Sequence, residues 1–246
     1  MPRFEGKTIL VTGASSGIGR GCAQRLVEEG ARLVLVGRNE AALNSISCGG
    51  PHCILLADLT DETTVKQLVG RVKSTVGVLA GCVLAAGVHA FHPLRMESFA
   101  DLSRPWQTNV QGTLGFLAQA LRAGLLTREA SIVLFSSAAA ETAAPGAVAY
   151  AASKGAVEAA TRTLAIELAG QCIRVNAVAP GVVHTPMTDG WLGKLTLDQA
   201  ARLEARHPMG FGKPSDVAGP VAFLLSDDAR WVNGAVLPVD GGYSIA

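Results

Sequence analysis

Seven short apolar runs that do not alternate with polar residues limit how this chain can fold more than any other feature. They are Thr8–Val11, Leu33–Val36, Cys53–Ala57, Leu79–Ala85, Ser131–Phe135, Ile173–Ala179 and Val236–Val239. A strand with one wet face alternates, whereas a run that is apolar throughout has both faces covered, as in a parallel sheet between two layers of helices. Segments with helical spacing separate the runs, near Ile18–Glu29, Glu62–Thr75, Trp106–Ala123, Ala147–Ala169 and Ser215–Leu225. There is no internal repeat and no Pro/Ser-rich linker. The pattern predicts an α/β chain, a doubly wound seven-stranded parallel sheet (a Rossmann fold) in a single domain over 1–246, joined by right-handed crossovers. A chain of 246 residues suits one such unit and needs no metal or disulfide staple. The stretch from Thr185 to Pro208 fits no strand, is loosely helical, and is too long for an ordinary connector. It reads as a substrate lid, with Met187, Trp191 and Leu192 as an apolar wall.

Composition excludes several classes of function. With 49% hydrophobic and 17% charged residues, the chain is not disordered. Lys and Arg number 21 against 20 Asp and Glu, with no basic stripe to neutralise phosphates, so a nucleic-acid partner is not expected. The apolar run Ile9-Leu10-Val11 is too short for a signal peptide. Val76 to Leu94 lacks charged residues, but Gly77, Gly81, Gly87 and Pro93 break it up, so it reads as a strand entering a loop and not as a membrane span. The cysteines at 22, 48, 53, 82 and 172 are odd in number and scattered, which fits reduced thiols in the cytoplasm. His89 and His92 have no third ligand nearby, and no metal site is expected.

On a doubly wound sheet, ligands bind beyond the carboxyl ends of the strands. The first strand-to-helix junction reads Thr12-Gly13-Ala14-Ser15-Ser16-Gly17-Ile18-Gly19. Glycines there let backbone approach a dinucleotide pyrophosphate, and the free N–H groups of the helix start face the anion. The second strand ends Val36-Gly37-Arg38-Asn39, with no acid to hold a ribose 2′-hydroxyl. Arg38 can instead pair with a 2′-phosphate, so NADP(H) is expected ahead of NAD(H). Asp58, after the third strand, is placed to meet an adenine edge or to cap a helix.

Tyr150 and Lys154 stand four apart on one helix face, close enough for the ammonium to lower the phenol pKa. Ser137, thirteen residues upstream of Tyr150, follows a strand that the sheet would bring to the same end.

Together these motifs resemble the short-chain dehydrogenase/reductase family over essentially the whole chain. The matching residues are TGASSGIG at 12–19, Asp58-Leu59, Asn109, Ser137, YxxxK at 150–154, Arg174-Val175-Asn176, Pro180-Gly181 and Asp240-Gly241-Gly242. The resemblance implies that Tyr150 is the general acid in ketone reduction. It gives Lys154 the nicotinamide ribose, Ser137 the substrate carbonyl and Asn109 a proton relay. It further implies a cofactor site of Gly13, Ser15, Ser16, Gly17, Ile18, Gly19, Arg38, Asp58, Leu59, Ala86, Gly87, Tyr150, Lys154, Pro180, Gly181, Val183 and Thr185, the last against the carboxamide. Where the family has Asn-Asn-Ala-Gly, this chain has Leu84-Ala85-Ala86-Gly87, which puts local stability and cofactor fit in question. In type the chain is most similar to the 3-oxoacyl-[acyl-carrier-protein] reductases. That implies a small or acyl-carrier-bound ketone as substrate, basic residues such as Arg95, Arg104 and Lys194 at the cleft mouth, and a homotetramer.

Overall fold

The structure, a computed structural model, describes residues 2–46 and 52–246; Cys48 lies outside them. Among these residues seven parallel strands form one sheet in the order β3-β2-β1-β4-β5-β6-β7. The strands are β1 Thr8–Thr12, β2 Arg32–Gly37, β3 Cys53–Leu56, β4 Leu79–Leu84, β5 Leu126–Phe135, β6 Arg174–Pro180 and β7 Val236–Val239. The order reverses between β1 and β4, and the crevice that opens at such a switch point is where this architecture receives a ligand.

The apolar runs are continuous because each strand feeds two cores. Leu10, Val34, Val36, Leu84, Ile132 and Leu134 face one side. Ile9, Val11, Leu33, Leu35, Val83 and Val133 face the other. The helices cover these faces with single stripes. In α3 (Glu62–Val76) the buried residues are Val65, Leu68, Val69 and Val72, at the spacing of one helix face, and Asp61 caps its start by accepting a hydrogen bond from the Thr64 amide. On the other side α1 (Gly17–Glu28) packs against α9 (Pro214–Leu225) through Cys22, Ala23 and Leu26.

Several family-motif residues serve the frame. Arg174 donates to the Leu224 and Ser226 carbonyls at 2.7 and 2.9 Å, closing the end of α9. Asn176 clamps the turn before β7, donating to the Val232 carbonyl and accepting from the Ala235 amide. Asp240 accepts from the amides of Gly242 and Ser244.

The structure differs from the expected elements in four places. β5 begins five residues early, at Leu126, because its register with β4 slips between Leu79 and Gly81, and Glu129 takes a left-handed φ of 65° in the bulge. The polar Arg128-Glu129 pair there hid the strand. The helix expected over Trp106–Ala123 is a wide π-helical turn, Trp106–Gly112, followed by α5 (Thr113–Arg122). A further helix, α4 (Phe99–Pro105), runs into it, and a short α2 spans Glu40–Asn44. The stretch 185–208 holds two helices, α7 (Pro186–Leu192) and α8 (Leu197–Ala205).

Leu84 and Ala85 leave no polar group stranded. Leu84 is 2% exposed in the first core and Ala85 packs against the second. The Ala86 amide donates to Thr12 Oγ1 at 3.1 Å, so β1 and β4 stay tied at their carboxyl ends without the family's amides.

Candidate active site

A cleft of about 430 Å3 runs along the carboxyl ends of the strands. The residues expected to bind cofactor all line it, as do Ser137, Tyr150 and Lys154. Asn109 does not.

The glycine turn forms one end. A Cβ on Gly13 would lie 2.9 Å from the Ala85–Ala86 backbone, and one on Gly19 would lie 2.4 Å from the Gly13 carbonyl. Only glycine fits at either position, so the turn is pressed flat against β4 and its own helix. Ser16 is the N-cap of α1 but gives it no side-chain cap, and the first turn has no acid. The N–H groups at the start of α1 therefore have no side-chain acceptor from the cap residue, and the helix dipole is uncompensated there, which suits a phosphate. Across the cleft stands Thr185, whose methyl lies 3.2 Å from where a Gly17 Cβ would be. Its hydroxyl is committed to capping α7, accepting from the Thr188 amide at 3.2 Å.

Arg38 lies at the end of β2, 74% exposed in its side chain, with its nearest carboxylate oxygen on Asp58 at 3.9 Å. Asp58 itself is held by Thr60, whose amide and hydroxyl donate to Oδ1 at 2.9 and 2.7 Å. These bonds hold its carboxyl below the usual range. An exposed pair of this kind contributes little, which leaves the guanidinium available to an incoming anion.

Tyr150 and Lys154 lie on α6 (Val148–Glu167), and Ser137 begins the turn after β5. The Ser137 hydroxyl accepts from the Ala139 amide at 3.2 Å and lies near enough to the Tyr150 phenol to draw its pKa down. Burial raises the Tyr150 pKa above its ordinary value, and the neighbouring Ser137 hydroxyl works against that. Lys154 Nζ sits 5.6 Å from the ring centroid and donates to the Phe135 carbonyl at 2.8 Å. Its own pKa is pushed down to about 8 by burial, because desolvation disfavours the charged form.

Asn109 works from behind the cleft. Its amide donates to the Val88 carbonyl at 3.0 Å and accepts from the Val88 amide at 2.8 Å. The same Nδ2 donates to Ser153 Oγ at 2.9 Å, and Ser153 donates in turn to the Tyr150 carbonyl. Asn109, 2% exposed, thus ties the chain after β4 to the helix that carries Tyr150. The π-helical turn is what aims it, and such turns recur at functional sites.

A second pocket, of about 400 Å3, adjoins the Tyr150 end. Its wall is a face of near-parallel rings. Trp191 stacks with His89 at 6.0 Å and with Phe91 at 5.6 Å, and the His89 ring centroid is 4.5 Å from that of Tyr150. Burial first, and Lys154 second, push His89 down to about 4, so it is neutral at physiological pH. Sequence reasoning set Arg104 and Lys194 at the cleft mouth, where both line this pocket, but gave neither Phe91 nor Asp101 a place in its wall. No periodicity marks them. His184 meets Asp189 at 3.3 Å, away from the pocket. Among the described residues no three His, Cys, Asp or Glu side chains converge on a point, and no helix is long and apolar enough to cross a membrane.

A sheet of this order, with a glycine cradle at its switch point and a Ser–Tyr–Lys set beside it, defines a nucleotide-dependent oxidoreductase by its architecture. Residues 13–244 match the family model described as enoyl-(acyl carrier protein) reductase. The chain is 38% identical to 2-(S)-hydroxypropyl-CoM dehydrogenase 3 of Xanthobacter autotrophicus, over 98% of its length and 97% of the relative's. It is 36% identical to the 3-oxoacyl-[acyl-carrier-protein] reductase of Thermotoga maritima, over 99% and 100%. The crystal structure of levodione reductase superposes with a TM-score of 0.91 at 32% identity, covering 99% of this chain and 100% of that one. The chain belongs to the short-chain dehydrogenase/reductase family.

Proposed function

We propose that the chain interconverts a ketone and a secondary alcohol with NADP(H), and that the compact pocket beside Tyr150 receives the substrate. One observation carries the reading: the Tyr150 phenol, with Ser137 and Lys154 beside it, stands where the glycine-floored cleft meets the aromatic pocket. The nicotinamide, when bound, supplies or accepts hydride. The uncapped start of α1, with Gly13, Ser15, Ser16, Gly17, Ile18 and Gly19, would hold its pyrophosphate. Asp58 and Leu59 would flank the adenine, and Ala86, Gly87, Pro180, Gly181, Val183 and Thr185 would line the nicotinamide half. Arg38 would take the 2′-phosphate, since no carboxylate stands at the end of β2 to repel it.

Tyr150 is protonated at neutral pH, as a phenol is at its ordinary pKa, and so can donate to a carbonyl oxygen. Ser137 orients the phenol and offers the carbonyl a second hydrogen bond. Lys154 is fixed by the Phe135 carbonyl beneath the cleft floor, so its charge is aimed and not free to swing. Asn109 is a positioning residue that keeps Val88 and the Tyr150 helix in register. The helices α7 and α8 act as the lid.

A second reading, reduction of a 3-oxoacyl group on a carrier protein, is favoured by the similarity to the Thermotoga maritima reductase and by Arg104 and Lys194 at the pocket. The aromatic face favours a compact ketone over an extended acyl chain. A homotetramer is part of the same proposal. Trp231 and Ile245 near the C-terminus are 96% and 90% exposed, and Ile166 on α6 is 79% exposed, apolar surfaces of the kind that subunit contacts cover. Sedimentation should give a mass near four chains, and a monomer at micromolar concentration removes this part. Among the described residues the cysteines are free, with the buried Cys22 and Cys82 thiols pushed up to about 12, and a cytoplasmic setting is part of the same proposal.

The test is oxidation of NADPH in the presence of cyclic ketones, linear ketones and acetoacetyl thioesters. Tyr150→Phe should lower turnover by about 10³-fold while cofactor binding, followed by fluorescence, persists. Unchanged turnover removes the mechanism.

A further inference from the structure

The pocket beside Tyr150 has two exposed cations in its wall. Arg104, in the last turn of α4, lines both this pocket and the main cleft. Lys194, in the turn after α7, lines the pocket as well. Among the described residues no carboxylate lies within 4.0 Å of either cation. The one acid in the wall, Asp101, caps α4, its carboxylate accepting from the Ser98 amide at 2.9 Å and hydroxyl at 2.7 Å, and it sets one negative charge, felt by Arg104 and His92, against the two cations. The Trp191 indole Nε1 also has no acceptor among the described residues, but it is buried, so the residue meets the pocket with its ring. The remaining polar groups of the wall, His89 and His92, bring no negative charge.

We propose that this pocket recognises an anion carried by the substrate: it takes a compact ketone or secondary alcohol bearing a carboxylate. Arg104 and Lys194 hold the carboxylate, and the His89–Phe91–Trp191 face packs on the carbon skeleton. The inference rests on the oxidoreductase reading above and narrows its substrate class. A guanidinium presents parallel N–H groups to the two oxygens of a carboxylate, and an ammonium adds a point charge. Because Arg104 reaches both cavities, a carboxylate bound to it fixes one end of the substrate while the carbonyl meets Tyr150.

The experiment compares 3-oxocyclohexane-1-carboxylate with its methyl ester, and 4-oxopentanoate with its methyl ester, as NADPH-linked substrates. Acid and ester share a skeleton and a reacting carbonyl, so the ratio of their kcat/KM values reads the anion site alone. The expected ratio is at least about tenfold in favour of the acid. Lys194→Glu should lower the ratio at least about tenfold through charge reversal at the pocket. Raising ionic strength from about 0.05 to about 0.5 M should raise KM for the acid more than for the ester in the unaltered enzyme, which requires no variant to fold. A ratio near one, or a ratio that Lys194→Glu and salt both leave alone, overturns the anion site while the oxidoreductase reading stands. Activity confined to acetoacetyl thioesters overturns it in favour of the carrier-bound substrate. Silence across every ketone, with NADPH binding intact, removes the oxidoreductase reading and this inference with it.

Discussion

The two ends of the active-site cleft are built from different materials. At the α1 end the wall is backbone: Gly13 lies against the Ala85–Ala86 peptide and Gly19 against the Gly13 carbonyl, so a side chain at either position has nowhere to go. At the far end the wall is side chain, His89, Phe91 and Trp191 stacked from a loop and a short helix. A backbone wall tolerates one residue type at each contact and receives the same ligand in every chain that has it. A side-chain wall tolerates many residue types and can be rewritten without disturbing the sheet. The fold is therefore shared across relatives named for different substrates, and the substrate end holds whatever is particular to this chain.

Substitution should break the two ends in different ways. Gly19→Val forces a carbon to within 2.4 Å of the Gly13 carbonyl and should weaken NADPH binding by about 100-fold or more, with a fall in Tm alongside. A dissociation constant within a few-fold of the parent value would show that the turn is pliable. Arg38→Asp should shift the NADPH-to-NADH preference in kcat/KM by about tenfold or more toward NADH. A constant ratio would place the 2′-phosphate elsewhere. At the junction of the two ends, Lys154 makes a prediction about stability and pH. Its folded pKa of about 8 lies below the unfolded value of 10.5, so between these the unfolded chain binds more protons and stability rises with pH. Denaturant unfolding of the parent and of Lys154→Met should therefore diverge in the parent's favour from about pH 8 upward. Parallel curves would mean that the ammonium is not desolvated. The smallest effect belongs to the side-chain wall, where His89→Leu should change KM for a good ketone by about threefold and leave NADPH affinity alone. A large loss of cofactor binding there would erase the distinction between the two ends.

The same division explains what was legible in the sequence. Strands buried on both faces leave unbroken apolar runs, and each of the seven was visible because Val, Leu and Ile must fill both cores. The glycine turn and the Tyr–Lys pair were visible because their chemistry admits few substitutes. β5 lost its first half because a bulge needs no apolar residue, and Glu129 could occupy the left-handed position in full view of solvent. The π-helical turn left no trace, since a helix with one extra residue per turn uses the same amino acids as one without. The aromatic pocket was invisible as a unit because residues 89, 91 and 191 meet only through the fold. The raised pKa of Tyr150 was also out of reach. Spacing alone brought Lys154 to the same face, but the Phe135 carbonyl that captures it belongs to another element.

The wide turn at Trp106–Gly112 carries a consequence for how this gene can vary in length. Each residue of an ordinary helix advances the chain by about 100°, so removing one codon here would restore a regular helix and rotate Asn109 by that angle away from Val88. The chain after β4 and the Tyr150 helix would lose the amide that joins them, although every strand and both cores would be untouched. Point changes at the exposed positions of this turn can accumulate, but an in-frame deletion within it yields a folded protein with a misaligned catalytic helix.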